Sequence, residues 1–285
     1  HHLQPRSLKR KGDSLTSVTG IDVGSTYTKA VILRDGKEIV SRAMLSTGFR
    51  FEEAAHKAYH SALDLAGLQE ADCSYLVTTG FGRHLVTFRD VNVTDINASA
   101  RGATFLFPKT RTILDVGGQT MKAIQLVEGG KVKSFRLNDK CAAGTGAFLE
   151  KTARYMGYKT EEIGTLAAVS KQVVPISGVC AVFAESEVIN HLSQGSSPSD
   201  IMYGAIVSLV ARSTQLIKRV GLTPEFTLIG GILRYESMGR VACEQLKTEV
   251  NVAEGDMVQF VTALGAAILG FRRMEKINKE GVSVG

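Results

Sequence analysis

Alternating apolar and polar positions open the chain and predict β-strands before any helix. Val18 to Val23 is an apolar segment, and residues 28–33 and 38–43 continue the alternation. An Asp35-Gly36 turn separates the last two segments, which is a common signal for a β-hairpin. The pattern therefore predicts a three-stranded meander whose first strand ends at Asp22-Val23-Gly24.

The opening pattern occurs a second time. Another apolar segment ends in the same Asp-Val-Gly triplet at Asp115, and two further alternating segments follow it. Asp22 and Asp115 are 93 positions apart (115 − 22), and Lys29 and Lys122 keep that spacing (122 − 29). Such a repeat indicates an internal duplication, and we expect two domains of like topology.

The remaining periodicity predicts helices and isolated strands. We expect Gly67 to end the first helix and Ser199 or Asp200 to cap the longest one. Apolar positions at helical spacing cover residues 52–67, 96–107, 147–157, 160–168, 182–192, 201–219, 237–248 and 262–275. Apolar runs that predict strands cover residues 75–79, 112–116, 123–127, 131–136, 172–176, 225–229 and 258–261.

Composition and charge narrow the class of protein. The 285 residues are 44% hydrophobic and 22% charged, which is enough apolar material for a core. Neither an apolar run of about 18 residues nor an apolar signal core is found, so we expect no membrane association and a cytoplasmic location. Residues 1–16 read as a disordered leader that begins with a tag-like His1-His2. Much of the net charge of +6 lies there, so we expect no nucleic-acid binding.

Both Asp-Val-Gly triplets are candidates for nucleotide binding. Phosphate requires N–H and hydroxyl donors at close range, and Mg²⁺ requires a carboxylate, usually through water. A third glycine pair, Gly230-Gly231, follows a predicted strand. Any one of these turns alone is more often a plain hairpin. Three in this order favour a nucleotide site, whereas neither a P-loop motif nor the G-x-G-x-x-G of dinucleotide folds is found.

Cys141 and Cys180 are the second set of candidates. Cys141 lies just before Gly144-Thr145-Gly146, and each cysteine precedes a predicted helix. Glycine-rich turns and helix N-termini suit an anion, either phosphate or an anionic metal–thiolate cluster. The alternative is that both are buried thiols, as we expect for Cys73 and Cys243.

The duplicated hairpins and the Gly-Gly turn resemble the two phosphate loops and the adenosine loop of the actin, sugar-kinase and heat-shock-chaperone ATPases. Within that superfamily, the chain is most similar to the activator ATPases of 2-hydroxyacyl-CoA dehydratases and the ATPase subunits of benzoyl-CoA reductase. The cysteine segments distinguish these from sugar kinases. The matching motifs lie at residues 20–26, 79–83, 115–119, 138–146, 180–187 and 230–231.

The resemblance implies an α/β fold of two ribonuclease H-like domains around a nucleotide cleft. The first domain would be 17–107, completed by the helix 262–275, and the second would be 108–261. It implies catalytic roles toward Mg²⁺ and water for Asp22, Asp115 and Gln119. It also implies that ATP contacts Gly24, Ser25, Thr26, Tyr27, Thr28, Lys29, Gly117, Gly118, Gly144, Thr145, Gly146, Gly230 and Gly231.

The resemblance also implies a metal and partners. Cys141 and Cys180 of two chains would together hold one 4Fe-4S cluster, in a homodimer or a heterodimer with a homologous subunit; zinc is the weaker rival. The partner would be an iron–sulfur dehydratase or reductase, and the electron donor a ferredoxin or flavodoxin. One departure is Thr120, where the family usually carries an acid.

The function implied is ATP-driven delivery of a low-potential electron to an enzyme acting on a CoA thioester. A small-molecule kinase of the same fold without a metal is the alternative, and it would retain its activity in a Cys141→Ala variant. A third possibility is an ATP-dependent sensor or chaperone-like module in which both cysteines are structural.

Overall fold

The computed structural model describes residues 15–138, 145–176 and 181–282, and gives the backbone alone for 181–185 and 281–282. The chain divides into two compact units. One comprises the residues up to Pro108 together with Phe260–Gly285, and the other is Lys109–Gln259. Most of the expected leader, residues 1–14, lies outside the described residues. Along the described ranges no helix combines the length and apolar character of a membrane span.

The first unit is a mixed sheet with helices packed against it. Its strands lie in the order β3-β2-β1-β4-β5; the first three form the expected antiparallel meander, and β4 and β5 run parallel to β1. The elements described in this unit are β1 (Ser17–Val23), β2 (Tyr27–Arg34), β3 (Glu38–Ser46), α1 (Phe51–Ala66), β4 (Cys73–Thr79), β5 (Val91–Asn92), α2 (Asp95–Leu106) and α8 (Val261–Val282).

The second unit has a sheet of the same kind. Its strands lie in the order β10-β9-β6-β7-β8, again a meander followed by two parallel strands. The elements described in this unit are β6 (Thr112–Val116), β7 (Met121–Leu126), β8 (Val132–Asn138), α3 (Gly146–Tyr155), α4 (Ile163–Ala168), α5 (Ala181–Ser193), α6 (Pro198–Val220), β9 (Phe226–Ile229), α7 (Glu236–Leu246) and β10 (Val250–Val252).

The two sheets confirm the internal duplication. β1 corresponds to β6, β4 to β9 and β5 to β10 in both order and direction. A register shift interrupts the second hairpin ladder of each unit, between Ile32 and Leu33 and between Gln125 and Leu126. These two shifts are also 93 positions apart (125 − 32). The repeat therefore extends to the local irregularities of the strands.

Small residues let α8 approach the first sheet closely. A Cβ on Gly20 of β1 would overlap the carbonyl oxygen of Ala263, and one on Gly102 of α2 would overlap that of Val261. The start of the C-terminal helix thus packs closely against β1 and α2 of its own unit. The helix runs from Val261 to Val282, which is longer than the predicted 262–275.

Helix ends follow local chemistry, with one correction. Gly67 ends α1 in the left-handed conformation with φ of 64°, as expected. The predicted cap of α6 at Ser199 or Asp200 is wrong, because Ser197 is the N-cap and its side chain accepts the Asp200 N–H. Pro198 fits the first helical turn, where its missing N–H has no helical partner to lose.

The strand predicted at residues 172–176 does not form. The carboxylate of Asp200 accepts the backbone N–H groups of Lys171 and Gln172, at 2.8 and 3.1 Å between nitrogen and oxygen. Pro175 has no N–H to offer a neighbouring strand. The segment thus starts with an N–H bound to a side chain and contains a residue without one, and it packs against α6 without joining a sheet.

The strand predicted at residues 258–261 is also wrong. Gly255–Gln259 is a 3-10 turn, and α8 begins at Val261. Val258 and Phe260 are buried, so the apolar run correctly indicates burial. A run this short, however, does not distinguish a strand from a helix. The edge position is taken instead by the short strand Val250–Val252.

Candidate functional site

The hairpin β1–β2 holds an acid and a base face to face. Asp22 in β1 and Lys29 in β2 are register partners. Lys29 Nζ lies 3.2 Å from Asp22 Oδ2, and the two side chains are only 16% and 12% exposed. Because each charge is largely removed from water, each requires the other. The lysine thereby fixes the carboxylate at the end of its strand.

The hairpin β6–β7 repeats this pair. Asp115 and Lys122 are register partners, and Lys122 Nζ lies 3.2 Å from Asp115 Oδ2. Their side chains are buried to nearly the same degree as those of the first pair. The equal spacing in the sequence is thus matched by equal geometry, one acid–base pair in each unit.

A glycine at the end of the neighbouring parallel strand packs against each of the two carboxylates. Gly80 follows β4 with φ of 85°, and Gly230 follows β9 with φ of 107°. A Cβ on Gly80 would overlap Asp22 Oδ1, and one on Gly230 would lie 2.8 Å from Asp115 Oδ1. Only glycine combines this backbone with this close approach. Gly230 therefore lies against the acid of its own unit, in addition to the adenosine role expected from the sequence.

The tips of the two hairpins are tight turns. The N–H of Gly24 donates to the carbonyl of Tyr27 at 3.2 Å, and the N–H of Gly117 donates to that of Thr120 at 2.8 Å. Between these ends lie Ser25 and Thr26 in one turn and Gly118 and Gln119 in the other, and each of these four residues has solvent-accessible surface. Their backbone and side-chain donors can reach an anion that approaches either turn.

Thr47, at the end of β3, braces the first turn and was not found from the sequence. Its hydroxyl donates to the Gly24 carbonyl at 2.8 Å, and its N–H donates to the Thr26 carbonyl at 2.9 Å. Thr28 is buried with its hydroxyl 2.9 Å from that of Thr47. The described role of Thr28 is to support the turn, and its contact with a ligand stays a prediction.

The second turn is joined to the start of α3. The N–H of Gly146 donates to the Gly117 carbonyl and that of Ala147 to the Gly118 carbonyl, both at 2.9 Å. Thr145 is fully buried, and Gly146 packs against Ile232. The first amides of the helix therefore hold the Gly117-Gly118 turn in place. Direct contact of Thr145 and Gly146 with a ligand stays a prediction.

Gly230 and Gly231 lead into a 3-10 turn with a charged and aromatic side. The guanidinium of Arg234 lies 4.9 Å from the centre of the Tyr235 ring, and Tyr235 Oη donates to the Thr160 carbonyl at 2.8 Å. Burial raises the pKa of Tyr235. Burial also raises the pKa of Glu150 on α3, and Arg234 partly offsets this rise. This side of the turn is therefore only partly hydrated.

Three predicted site residues, Gly144, Cys141 and Cys180, lie outside the described residues. Of the other two cysteines, Cys73 is buried with its Sγ 3.0 Å from Thr19 Oγ1, as expected for a core thiol. Cys243 is only partly buried on α7, which differs from the expected core position. Neither of these two cysteines therefore lies among the glycine turns described above.

A family model and two curated relatives match nearly the whole chain. The model is described as the BadF/BadG/BcrA/BcrD ATPase family and covers residues 19–270. An activator of lactoyl-CoA dehydratase from Anaerotignum propionicum is 41% identical over 257 residues, covering 90% of this chain and 98% of the relative. A benzoyl-CoA reductase subunit from Thauera aromatica is 34% identical over 275 residues, covering 94% of this chain and 97% of the relative.

A solved structure has the same fold. The activator of the 2-hydroxyisocaproyl-CoA dehydratase from Clostridium difficile, with bound ADPNP, superposes with a TM-score of 0.88 at 36% identity. The match covers 93% of this chain and 98% of that one. The expected fold class and the expected family resemblance are both confirmed.

Proposed function

Because this chain belongs to the BadF/BadG/BcrA/BcrD ATPase family, we propose that it hydrolyses ATP to deliver a low-potential electron to a partner iron–sulfur enzyme. That partner would act on a CoA thioester, since relatives of this chain are named as a dehydratase activator and a benzoyl-CoA reductase subunit. The observation that carries the ATPase part is the twofold acid–lysine–glycine arrangement at the two hairpins.

The two hairpin turns are suited to ATP phosphates and Mg²⁺. Asp22 and Asp115 supply carboxylate oxygens, which Mg²⁺ binds directly or through water. Mg²⁺, when bound, would neutralise the charge that develops on the phosphates. Ser25, Thr26, Gly118 and Gln119 would donate hydrogen bonds to the phosphate oxygens. Gln119 is exposed at its turn and would also orient the attacking water.

Cys141 and Cys180 would hold the cluster. A 4Fe-4S cluster takes four thiolates, and two from each chain supply that number when two copies or two homologous chains meet. Cys73 does not compete for this role, because it lies in the core beside Thr19. When bound, the cluster would carry one electron at low potential. Ferredoxin or flavodoxin as donor, and a cytoplasmic location, stay predictions.

Coupling between the two functions would run through the start of α3. The turn Gly117-Gly118 accepts the first two amides of this helix, and the helix follows directly on the segment 139–144 that contains Cys141. Nucleotide that binds one conformation of the turn better than another would shift the equilibrium between those two conformations of the turn by the difference in binding free energy.

An Asp115→Asn variant tests the ATPase assignment. We expect kcat for ATP hydrolysis to fall about 100-fold, because a carboxylate that acts on the phosphates through Mg²⁺ is lost. Asp64→Asn is the matched control, since Asp64 is exposed on α1, and it should leave the rate unchanged. Wild-type ATPase activity in Asp115→Asn would show that Asp115 does not serve hydrolysis.

Iron and sulfide analysis of protein purified without oxygen tests the cluster. We expect about four iron and four sulfide per two chains, and loss of both in Cys141→Ala while ATP binding is retained. A metal-free kinase or sensor would contain no iron before or after this substitution. Iron well below four per two chains in the wild type would therefore contradict the cluster but leave the ATPase assignment standing.

A further inference from the structure

Two histidines on α1 share one face of the helix. His56 and His60 are four residues apart, a spacing that brings side chains together on a helix surface. Their Nε2 atoms lie 3.1 Å apart. Glu70, in the 3-10 turn Glu70–Asp72 that precedes β4, places Oε1 3.0 Å from His60 Nε2. All three atoms lie within 4.8 Å of one another.

A single proton on His60 cannot satisfy both of its neighbours. His60 Nε2 has a single in-plane position, which holds either a proton or a lone pair. It can therefore make one well-directed hydrogen bond, to Glu70 or to His56, but not to both. A cation among the three atoms would instead accept a lone pair from each of them.

We propose that His56, His60 and Glu70 form a binding site for a divalent transition metal, with Zn²⁺ as the ion that fits the donor set best. Imidazole ligands select zinc and its neighbours over Mg²⁺ and Ca²⁺. Two ligands on a tetrahedral zinc lie about 3.4 Å apart, close to the 3.1 and 3.0 Å observed here. Two histidines and one carboxylate leave a fourth position for water.

Aromatic neighbours orient both imidazoles. The His56 ring meets the Phe88 ring edge-on, with centroids 5.6 Å apart. The His60 ring meets that of Tyr59 at 5.5 Å, and Tyr59 is buried in the core of the unit. His56 and Glu70 are the two exposed members of the group, and Glu70 comes from the turn before β4. A bound ion would therefore tie α1 to the turn that leads into β4.

Zinc binding to the full chain tests this site. We compare the wild type with His60→Gln and with His84→Gln, where His84 is exposed and is not one of the three ligands. The wild type and His84→Gln should bind one more Zn²⁺ per chain by calorimetry than His60→Gln, or bind it at least about tenfold more tightly. His1-His2 and the cysteines are common to all three proteins, so their contribution cancels in the comparison.

Two further measurements distinguish loss of the metal site from loss of the fold. Co²⁺ bound at this site should give d–d bands without thiolate charge transfer, and His60→Gln should lose them while circular dichroism shows an unchanged helix content. Zn²⁺ should raise Tm by about 2–4 °C in the wild type but not in Glu70→Gln, which leaves α1 unaltered. If His60→Gln and Glu70→Gln bind Zn²⁺ as the wild type does, the proposal is wrong.

Discussion

At the scale of single residues, two glycines allow the backbone to pass close to the two carboxylates, and no other residue type could replace them there. Gly80 and Gly230 both combine a left-handed φ with a carboxylate oxygen that a Cβ at that position would overlap. The sequence hides their equivalence, because Gly80 follows Asp22 by 58 positions (80 − 22) and Gly230 follows Asp115 by 115 (230 − 115). The duplication is visible only where the chain between strands kept its length. Elsewhere the lengths differ, because α3 to α6 lie between β8 and β9, whereas α1 lies between β3 and β4.

Gly230→Ala tests the close approach, and Gly129→Ala is its matched control. Both glycines have a positive φ, at 107° and 81°, so both substitutions cost about 1–3 kcal/mol of backbone strain. Only the Cβ at position 230 meets Val116 and Asp115, whereas nothing lies within 4 Å of that at position 129. Urea denaturation should show a further loss of about 1–3 kcal/mol for Gly230→Ala. Equal losses in the two variants would contradict the packing argument.

At the scale of elements, the sequence predicted what local pattern determines and missed what distant side chains determine. Both meanders, the duplication and the Gly67 cap follow from periodicity and turn chemistry within short segments. The segment 172–176 does not, because the side chain that takes its N–H groups is Asp200, almost thirty residues later. At the candidate site, Asp22, Asp115 and their lysines were found from the repeat, whereas Thr47 carried no signal beyond a polar residue after a strand.

Asp200 should make stability depend on pH. The Lys171 N–H, then the Ser197 and Ser170 side chains, hold the pKa of Asp200 well below its usual range. A lowered pKa in the folded state stabilises the fold above about pH 4, and this stabilisation is lost as the pH falls further. Asp200→Asn should therefore lower Tm at pH 7, and its difference from the wild type should narrow below about pH 4. Asp64→Asn, on an exposed carboxyl, should match the wild type throughout. A pH-independent Tm difference would contradict this role.

At the scale of the whole molecule, the first unit is made of two separate pieces of chain. The sheet β1–β5 comes from the N-terminal part and α8 from the C-terminal part, while the second unit is continuous. The close contacts of α8 with Gly20 and Gly102 make this helix part of the first core rather than an addition to its surface. The stability of the first unit should therefore depend on residues that follow the second.

Deleting residues 260–285 tests this dependence. Hydrogen exchange should show loss of protection in β1, β2 and β4, because the faces that pack on α8 would be left open to water, while β6, β7 and β9 stay protected. Deleting only residues 275–285 is the control, since residues 275–280 are exposed, and it should preserve both units. Protection of β1 that survives the longer deletion would show that α8 is dispensable for the first core.

The divided first unit has a consequence for synthesis. On the ribosome, the strands of the first unit emerge before the second unit. They can pack against α8 only after all of the second unit has been translated. At about 5–20 residues per second, that delay is about 8–30 s. The second unit can reach its native state within this interval, whereas the apolar faces of β1 and α2 that pack on α8 stay exposed to water. We therefore expect the second unit to complete its fold before the first, although it is translated later.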